Sequence, residues 1–489
     1  MKVGITAFAG YIPRLRLSRK SIVEAIGWVN PGLMNYARSE RSMCDVDEDS
    51  VTMGVESARD CLNGGDYGTV DSLYFASTTM PFADRQNSTI IAEALGLRDD
   101  ISTLDISHSQ RAGTSGLIAA LKAQGNGGVG STLYVAADSR RAKSGSVQEL
   151  LFGDGAAALT LGVENTIASF LGSHSVNRDF VDHFRGDGSR YDYYFEERWI
   201  RDEGYFKMVP EAIQALLENA RLTAEDIHHF IMPCTIRRLR ETLAKKMGIA
   251  AKAIRDDLSE GCGETGTAHP LVMLAHTLEE ARPGEKILMI GFGQGVDALL
   301  FETTDRIDSF SPCRGVKAQM DNGIIETNYL KHLSFKDMVE IEWGMRAEAD
   351  AQVRPSAAWR EHRNFNALIG GQCTRCGTVQ FPAAHICVNP ECRAKDSQKD
   401  YRLADSPAKV ASYTVDRLAY TPNPPLLFGM IEFEAGAKVM MQFVGCDPEQ
   451  VEVGLPMDMV FRVKRFDKQR NFRNYFWKAV PQSKIKKEG

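Results

Sequence analysis

Two stretches of this 489-residue chain hold residue types that can do chemistry. The first is GGQCTRCGTVQFPAAHICVNPEC, which supplies Cys373, Cys376, Cys387 and Cys392. Cys-x-x-Cys folds as a tight knuckle around one ion, and the second pair, with four residues between its members, lies within the spacing of structural zinc sites. Four thiolates suit tetrahedral zinc and leave no coordination position open to a substrate, so the site reads as structural. The second stretch is DISHSQRAGTSGLIAAL, residues 105–121. Asp105 and Ile106 close a strand; a run of small residues then opens a helix whose apolar face is Leu117, Ile118 and Leu121. Such a bend presents a nucleophile well, because a helix N-terminus stabilises a developing anion. The residue at the bend is Gln110, which is no nucleophile.

The elements around the bend alternate. From residue 1 to about 304, the short apolar runs VGITAFAGYI, SLYFAST, STLYVAAD, AAALTLG, HHFIMPC, KILMIGFG and ALLFETT read as buried strands. Between them DSVTMGVESARDCL, TSGLIAALKAQ, PEAIQALLENA, IRRLRETLAKKMG and HPLVMLAHTLEEA carry helical periodicity. This predicts an α/β fold with strands covered on both faces. Two Gly-rich turns leading into strands, GDGAAALTLG and GFGQGVDALLFE, occupy corresponding places and suggest two duplicated halves, about 1–165 and 166–304. Residues 305–360 read as a connector. Beyond it, Pro-bounded runs such as KVASYTVD, LLFGMIEFE, KVMMQFVG and MDMVFRVKRF predict a small barrel or sandwich.

Composition excludes several classes. With 43% hydrophobic and 25% charged residues the chain is an ordinary globular protein, and its formal charge of −6 argues against a nucleic-acid binder. The apolar runs are too short to span a bilayer, and the first residues lack the pattern of a signal peptide. Scattered cysteines point to a reducing, cytoplasmic setting. Neither Gly-rich turn has dinucleotide or P-loop spacing.

These stretches together resemble the thiolase superfamily, in its 3-hydroxy-3-methylglutaryl-CoA synthase and ketoacyl synthase III branch. The motifs are ASTTMPFADRQNSTIIAEALGL, DISHSQRAGTSGL, LLFGDGAAALTLG, EGYFKMVPEAIQALLENA and GCGETGTAHPLVMLAHTLEEARPGEKILMIGFGQGVDALLFE. Residues 361–400 and 401–489 resemble the rubredoxin-like zinc ribbon and the OB-fold barrel of acyl-CoA-associated domains. The resemblance implies a five-layered αβαβα fold, a CoA thioester as substrate, and a homodimer or larger assembly.

It also implies a nucleophilic cysteine, a histidine base, an asparagine and, in the synthase branch, an acid. Here the cysteine position falls on Gln110. The histidine falls on Ile231 or Pro233, with Cys234 the nearest reactive side chain. The asparagine falls on Glu264, two residues after Cys262, and the acid near Thr78-Thr79. Every one departs from the pattern, so acyl-cysteine Claisen catalysis does not carry over.

Three readings follow. A retro-aldol cleavage or decarboxylation of a CoA ester passes through an enolate and needs a base and an oxyanion hole but no nucleophile; Gln110 and the backbone of Gly293 would line the hole, with His108, Glu264 and His269 as the pool of bases and Tyr205 a lesser candidate. Alternatively Cys234 or Cys262 takes over as nucleophile in a condensing acyltransferase. In the third reading the domain is a non-catalytic, acyl-CoA-binding partner subunit of a thiolase complex. For the CoA phosphates, Arg41, Arg190, Lys207 and Arg237 are the candidates, Lys207 foremost. The aromatic RYDYYFEERW would shape an acyl pocket or a subunit interface. The basic, aromatic KRFDKQRNFRNYFWK invites a test for single-stranded nucleic acid, although its context favours docking of acyl-CoA or a partner subunit with an OB domain.

Overall fold

The computed structural model describes residues 3–62, 67–125, 130–345 and 352–482. Two compact units emerge: residues 1–45, 49–89 and 98–336 make the first, and 46–48, 90–97 and 337 onward the second.

The first unit is built on nine strands: β1 (Gly4–Tyr11), β2 (Val70–Ala76), β3 (Ser102–Ile106), β4 (Ser131–Ser139), β5 (Asp154–Gly162), β6 (Ala168–Asn177), β7 (His229–Ile231), β8 (Lys286–Phe292) and β9 (Gly295–Thr303). Their order is β7-β8-β9-β6-β1-β5-β4-β2-β3. The strand order contains a repeat. β2 pairs parallel with β4, β4 antiparallel with β5, and β5 antiparallel with β1. In the other half β7 pairs parallel with β8, β8 antiparallel with β9, and β9 antiparallel with β6. The two Gly-rich turns thus open equivalent strands, β5 and β9.

Four helices complete the layers. α1 (Ser50–Leu62) covers β1, β4 and β5, and α3 (Phe206–Ala220) covers β6 and β9. Between the two half-sheets run α2 (Ala112–Gly125) and α4 (His269–Leu278), each packed against strands of both halves. The result is the αβαβα arrangement. In α4 every residue except His276 is buried, as a helix between two sheets requires. A single core therefore joins Leu117, Ile118 and Leu121 of α2 to Leu271, Val272 and Leu274 of α4. α2 opens with small residues because space is short: a Cβ on Gly113 would lie 2.1 Å from the Thr267 carbonyl oxygen.

Residues 305–336, expected as a connector, belong to this first unit. Ile324–Glu326 adds a parallel strand to Leu15–Ser18, and Lys336 Nζ meets both carboxylate oxygens of Asp154 at 2.7 and 2.8 Å in the interior. Residues 346–351 of that expected connector lie outside the described residues.

The second unit opens with a three-stranded ribbon, Ile369–Cys373 flanked by Val379–Gln380 and Gln398–Arg402. A five-stranded sheet follows, made of β10 (Ala408–Asp416), β11 (Leu426–Phe433), β12 (Lys438–Gln442), β13 (Pro456–Asp467) and β14 (Phe472–Pro481), in the order β12-β11-β10-β13-β14. A parallel bridge from Phe443 to Ala479, with Val444 N–H donating to the Ala479 carbonyl at 2.9 Å, brings the chain after β12 back to β14. β11 alternates buried and half-buried residues along its length, and Phe433, Phe461 and Trp477 fill the interior. The last residues of the expected OB segment, 483–489, lie outside the described residues.

Gly113→Ala places a methyl group on backbone rather than on a yielding side chain, so it should destabilise the first unit by about 1–3 kcal/mol. A lowered unfolding midpoint in denaturant is the expected result, read by a probe confined to that unit.

Candidate functional site

Gln110 stands between β3 and α2. The start of α2 is held by Asp297 on β9, which is buried and accepts from Arg111 Nη1 at 3.0 Å, Thr114 Oγ1 at 2.9 Å, Ser115 Oγ at 2.6 Å and Ser175 Oγ at 2.6 Å. The turn joining β8 to β9 backs onto the bend. Gly293 there has φ +156°, and a Cβ on it would lie 3.4 Å from the Gln110 Cβ and 3.2 Å from the Arg111 nitrogen. Its glycine identity permits this close approach.

Glu264 comes from the loop before α4. Its backbone is fastened to the residues preceding β5: Glu264 N–H donates to the Leu151 carbonyl and Gly153 N–H to the Glu264 carbonyl, each at 2.8 Å. Its carboxylate meets the bend. Gln110 Nε2 donates to Glu264 Oε1 at 2.7 Å, Gly266 N–H donates to the same oxygen at 2.8 Å, and Arg140 Nη1 donates to Oε2 at 2.8 Å. Because the acceptor is a carboxylate, the Gln110 amide must turn its nitrogen toward it. One amide proton is so engaged, and the second makes no hydrogen bond among the described residues. The Gln110 backbone N–H makes no hydrogen bond among the described residues.

Arg140 sits just beyond β4 and is 2% exposed. It also donates to Asp192 Oδ2 at 2.7 Å and to the Tyr194 hydroxyl, and its guanidinium stacks 3.9 Å from the Phe152 ring centroid. Burial disfavours its charge, but Tyr194, Glu264 and Asp192 overcome that and hold its pKa well above the ordinary value. Burial likewise opposes the Asp192 charge, yet Arg140 and Arg185 keep that carboxyl below its usual range. Neither Arg140 nor the Asp192–Tyr194 contacts were legible in sequence; the only signal was the aromatic density of RYDYYFEERW.

The remaining candidates fare unequally. His269 is 2% exposed with both ring nitrogens occupied: Nε2 faces the Asp257 carbonyl at 2.9 Å, and Nδ1 accepts from Thr265 N–H at 3.2 Å. It fixes the start of α4 and is not available as a base. Glu264, tied by three donors, is an anchor rather than a free base. His108 is exposed, with φ 73°, at the rim of the bend. Ile231 ends β7 in the core. Thr78 and Thr79, where an acid was expected, instead donate to buried Asp138 at 3.0 and 2.8 Å. The Gly293 N–H points back to the Gly295 carbonyl at 3.1 Å, so Gly293 contributes close approach, not a free donor. Tyr205 stacks on Phe292 with centroids 3.9 Å apart.

Both candidate thiols are disfavoured as nucleophiles. Burial pushes Cys234 up to about 12 and Cys262 up to about 11. Cys262 is enclosed beside Ser42, its Sγ 3.8 Å from the Ser42 Oγ. Arg41, expected at an entrance, is 2% exposed and donates to the Glu149 carbonyl, so it stabilises the interior and cannot greet a phosphate. Lys207 is exposed and pairs with Glu203 at the edge of a shallow hollow shared with Phe206, Pro210 and Lys246. Arg237 is exposed, donates to the Asn35 carbonyl and lies 4.9 Å from the Tyr36 ring centroid; Arg190 is exposed on the loop before Asp192.

The four ribbon cysteines converge. Their sulfurs all lie within 4.8 Å of one another, with Cys373 and Cys392 3.9 Å apart and Cys376 and Cys387 3.6 Å apart. Gly377, at φ 77°, closes the first knuckle by donating to the Cys373 carbonyl. Ser397 and Thr378 hydroxyls approach Cys373 and Cys376 sulfurs at 3.3 and 3.2 Å. A compact all-thiol donor set of this kind fits tetrahedral zinc. In the barrel, Trp477 and Tyr475 are buried, which removes two aromatics from any surface for stacking bases.

Fold and site together define a thiolase-like α/β protein joined to a zinc ribbon and an OB-fold sheet. Residues 217–301 match the 3-oxoacyl-[acyl-carrier-protein] synthase III C-terminal family, residues 361–397 the ChsH2 rubredoxin-like zinc ribbon domain, and residues 401–462 the ChsH2 C-terminal OB-fold domain. The hydroxymethylglutaryl-CoA synthase of Aeropyrum pernix is 30% identical over 315 residues, covering 63% of this chain and 87% of that protein. That of Thermococcus onnurineus is 29% identical over 313 residues, covering 63% and 88%. A crystal structure of HMG-CoA synthase complexed with CoA superposes with a TM-score of 0.61 at 15% identity, covering 71% of this chain and 93% of that one. The synthase III of Pseudomonas aeruginosa gives 0.56 at 19%, covering 62% and 99%. The chain belongs to the hydroxymethylglutaryl-CoA synthase family.

Two outcomes are expected here. Metal analysis of the purified protein should find close to one zinc per chain, lost in Cys376→Ala. At pH 8 a thiol with a pKa near 11 is only about one part in a thousand thiolate, so Cys234 and Cys262 should resist alkylation in the native protein while exposed Cys313 reacts, as peptide mass spectrometry will show.

Proposed function

We propose that the first unit breaks a C–C bond beside a CoA thioester, through an enolate and without an acyl-enzyme. The observation that carries this reading is the Gln110–Glu264–Arg140 chain of hydrogen bonds. In this reading Gln110 stands where the family has its nucleophile and presents an amide donor, held at 2.7 Å by a carboxylate that is itself anchored by a buried cation. Such an amide cannot be acylated under these conditions, but its second N–H and the backbone N–H of Gln110 can face a thioester oxygen as charge builds on it. In a 3-hydroxyacyl-CoA the C2–C3 pair then moves onto the thioester while C3 leaves as a carbonyl compound. The reverse, an aldol addition, and a decarboxylation use the same enolate.

The family's names support the CoA thioester as substrate, and the CoA-bound structural relative agrees with it. Exposed Lys207, Arg190 and Arg237 remain the candidates for its phosphates. A condensing reaction with a relocated cysteine needs a thiolate that burial of Cys234 and Cys262 opposes. The chain works as a homodimer in this reading: β3 is an edge strand with one unpaired side, and Leu104 on it is 46% exposed.

Incubation of the full chain with a panel of 3-hydroxyacyl-CoAs should release shortened acyl-CoA and a carbonyl product, with no mass adduct on the protein. Gln110→Ala should lower kcat/KM by about 10²-fold, as loss of an oxyanion donor does. A stable acyl adduct on Cys234 or Cys262 would overturn the adduct-free reading. Activity that requires a co-purified second chain would favour a partner-subunit role.

A further inference from the structure

Of the bases expected from the sequence, Glu264 and His269 are tied by hydrogen bonds and Tyr205 is stacked on Phe292, while His108 stands exposed at the rim of the bend with no hydrogen bond orienting its ring among the described residues; a retro-aldol cleavage needs a base that is both free and oriented. Another imidazole of this unit belongs to the short strand His183–Phe184 beyond β6, paired with Tyr193–Tyr194. His183 Nδ1 is 2.6 Å from Asp182 Oδ2, and Asp182 is 6% exposed. Asp182 Oδ1 in turn accepts from Gln294 N–H at 3.2 Å. The pairing puts the imidazole proton on Nδ1 and the lone pair on Nε2, which has no partner among the described residues.

Two routes of contact link this imidazole to Gln110. Through Asp182 it reaches Gln294, next to Gly293, whose backbone packs on the Gln110 Cβ. Through its ring it stacks on Tyr194, with centroids 5.0 Å apart and planes 11° apart; the Tyr194 hydroxyl meets Arg140, which holds Glu264 against Gln110. His183 and Asp182 also form one wall of a hollow of about 200 Å³ whose other walls are Val181, Phe184, Tyr193, Phe195 and Trp199. Phe184, Tyr193 and Phe195 are 50, 56 and 53% exposed, an apolar cluster of a kind that marks a binding site more often than plain surface.

We infer that His183, oriented by Asp182, is the catalytic base of this site, and that the aromatic hollow beside it receives an apolar C3 substituent, of about the size of a phenyl ring, on a 3-hydroxyacyl-CoA. This rests on the enolate reading above. In the step itself, Nε2 takes the proton from the C3 hydroxyl and the C–O bond becomes a carbonyl. The C2–C3 bond breaks, and its electron pair passes to the thioester as an enolate facing Gln110. The proton on Nε2 then returns to C2, releasing the shortened acyl-CoA and an aldehyde or ketone. No oxidant or further reactant is required.

The charged and titratable groups around His183 are Asp182 next to it in the chain, Asp192 and Tyr194 on the strand segment facing it, and Arg140 and Arg185, which bind Asp192. Asp182 is a positioning residue: Asp182→Asn keeps the ring but removes the charge that orients it.

The test is steady-state cleavage of 3-hydroxy-3-phenylpropionyl-CoA by the full chain. His183→Ala should lower kcat by about 10²–10³-fold with little change in KM and recover in part with added imidazole. Asp182→Asn should lower kcat, again with little change in KM. Thermal melting of each variant, matched to the parent, separates these effects from misfolding. Cleavage that persists within twofold in His183→Ala overturns the base assignment and leaves the enolate reading intact. Absence of cleavage by the parent on every 3-hydroxyacyl-CoA overturns both. A preference for the unbranched C4 substrate over the phenyl one rejects the role of the hollow.

Discussion

The site depends on one buried carboxylate and what surrounds it. Glu264 meets an amide, a backbone N–H and a guanidinium, and the guanidinium is shared with Asp192 and the Tyr194 hydroxyl. Removing one partner from such a buried ion pair typically costs about 3–5 kcal/mol, because the other is left charged in a poor solvent. The arrangement is therefore rigid, and its rigidity decides the chemistry. A carboxylate so fully engaged is a poor base, but an excellent fixture for the amide beside it. In the proposed enolate reading the bend at Gln110 is a preorganised donor, and proton transfer falls to another group.

The internal repeat explains why these two residues meet. Gln110 precedes α2 and Glu264 precedes α4, and both helices run in the middle layer between half-sheets of the same strand order. The Gly-rich turns obey the same relation. Gly153, before β5, donates to the Glu264 carbonyl; Gly293, before β9, lies against Gln110. Each turn backs the residue at the head of one central helix, so the two side chains are brought together across the seam between the halves.

The second unit relies on different physics. Its ribbon has a core of little more than Cys373, Cys387, Cys392 and Ala394, too small to hold three short strands by apolar burial alone. Metal ligation supplies what the core lacks. The barrel beyond it is held by ordinary packing, with Phe461 set against both Tyr475 and Trp477.

Much of this was readable from residue pattern. The apolar strand runs, the helices of the first unit, the zinc ligands and the bend at Gln110 are local signals, carried by periodicity and spacing over a few residues. β6 escaped such reading because ASFLGSHSVN mixes polar and apolar residues without a clean period; its pairing with β9 over its length makes it a strand. The segment 305–336 looked like a linker because its partners, Leu15–Ser18 for Ile324–Glu326 and Asp154 for Lys336, are distant in the chain, the latter 182 positions away. The same holds for function. Sequence alone puts an amide, Gln110, at the bend between strand and helix, since that is a matter of which residue stands at one turn. Whether Arg41 faces solvent or the interior, whether His269 is free or tied, and that Arg140 and Glu264 form a pair 124 positions apart, are decided by burial and by hydrogen bonds between distant segments. Only the folded chain sets those, because a side chain's charge and reactivity depend on the neighbours that remove it from water.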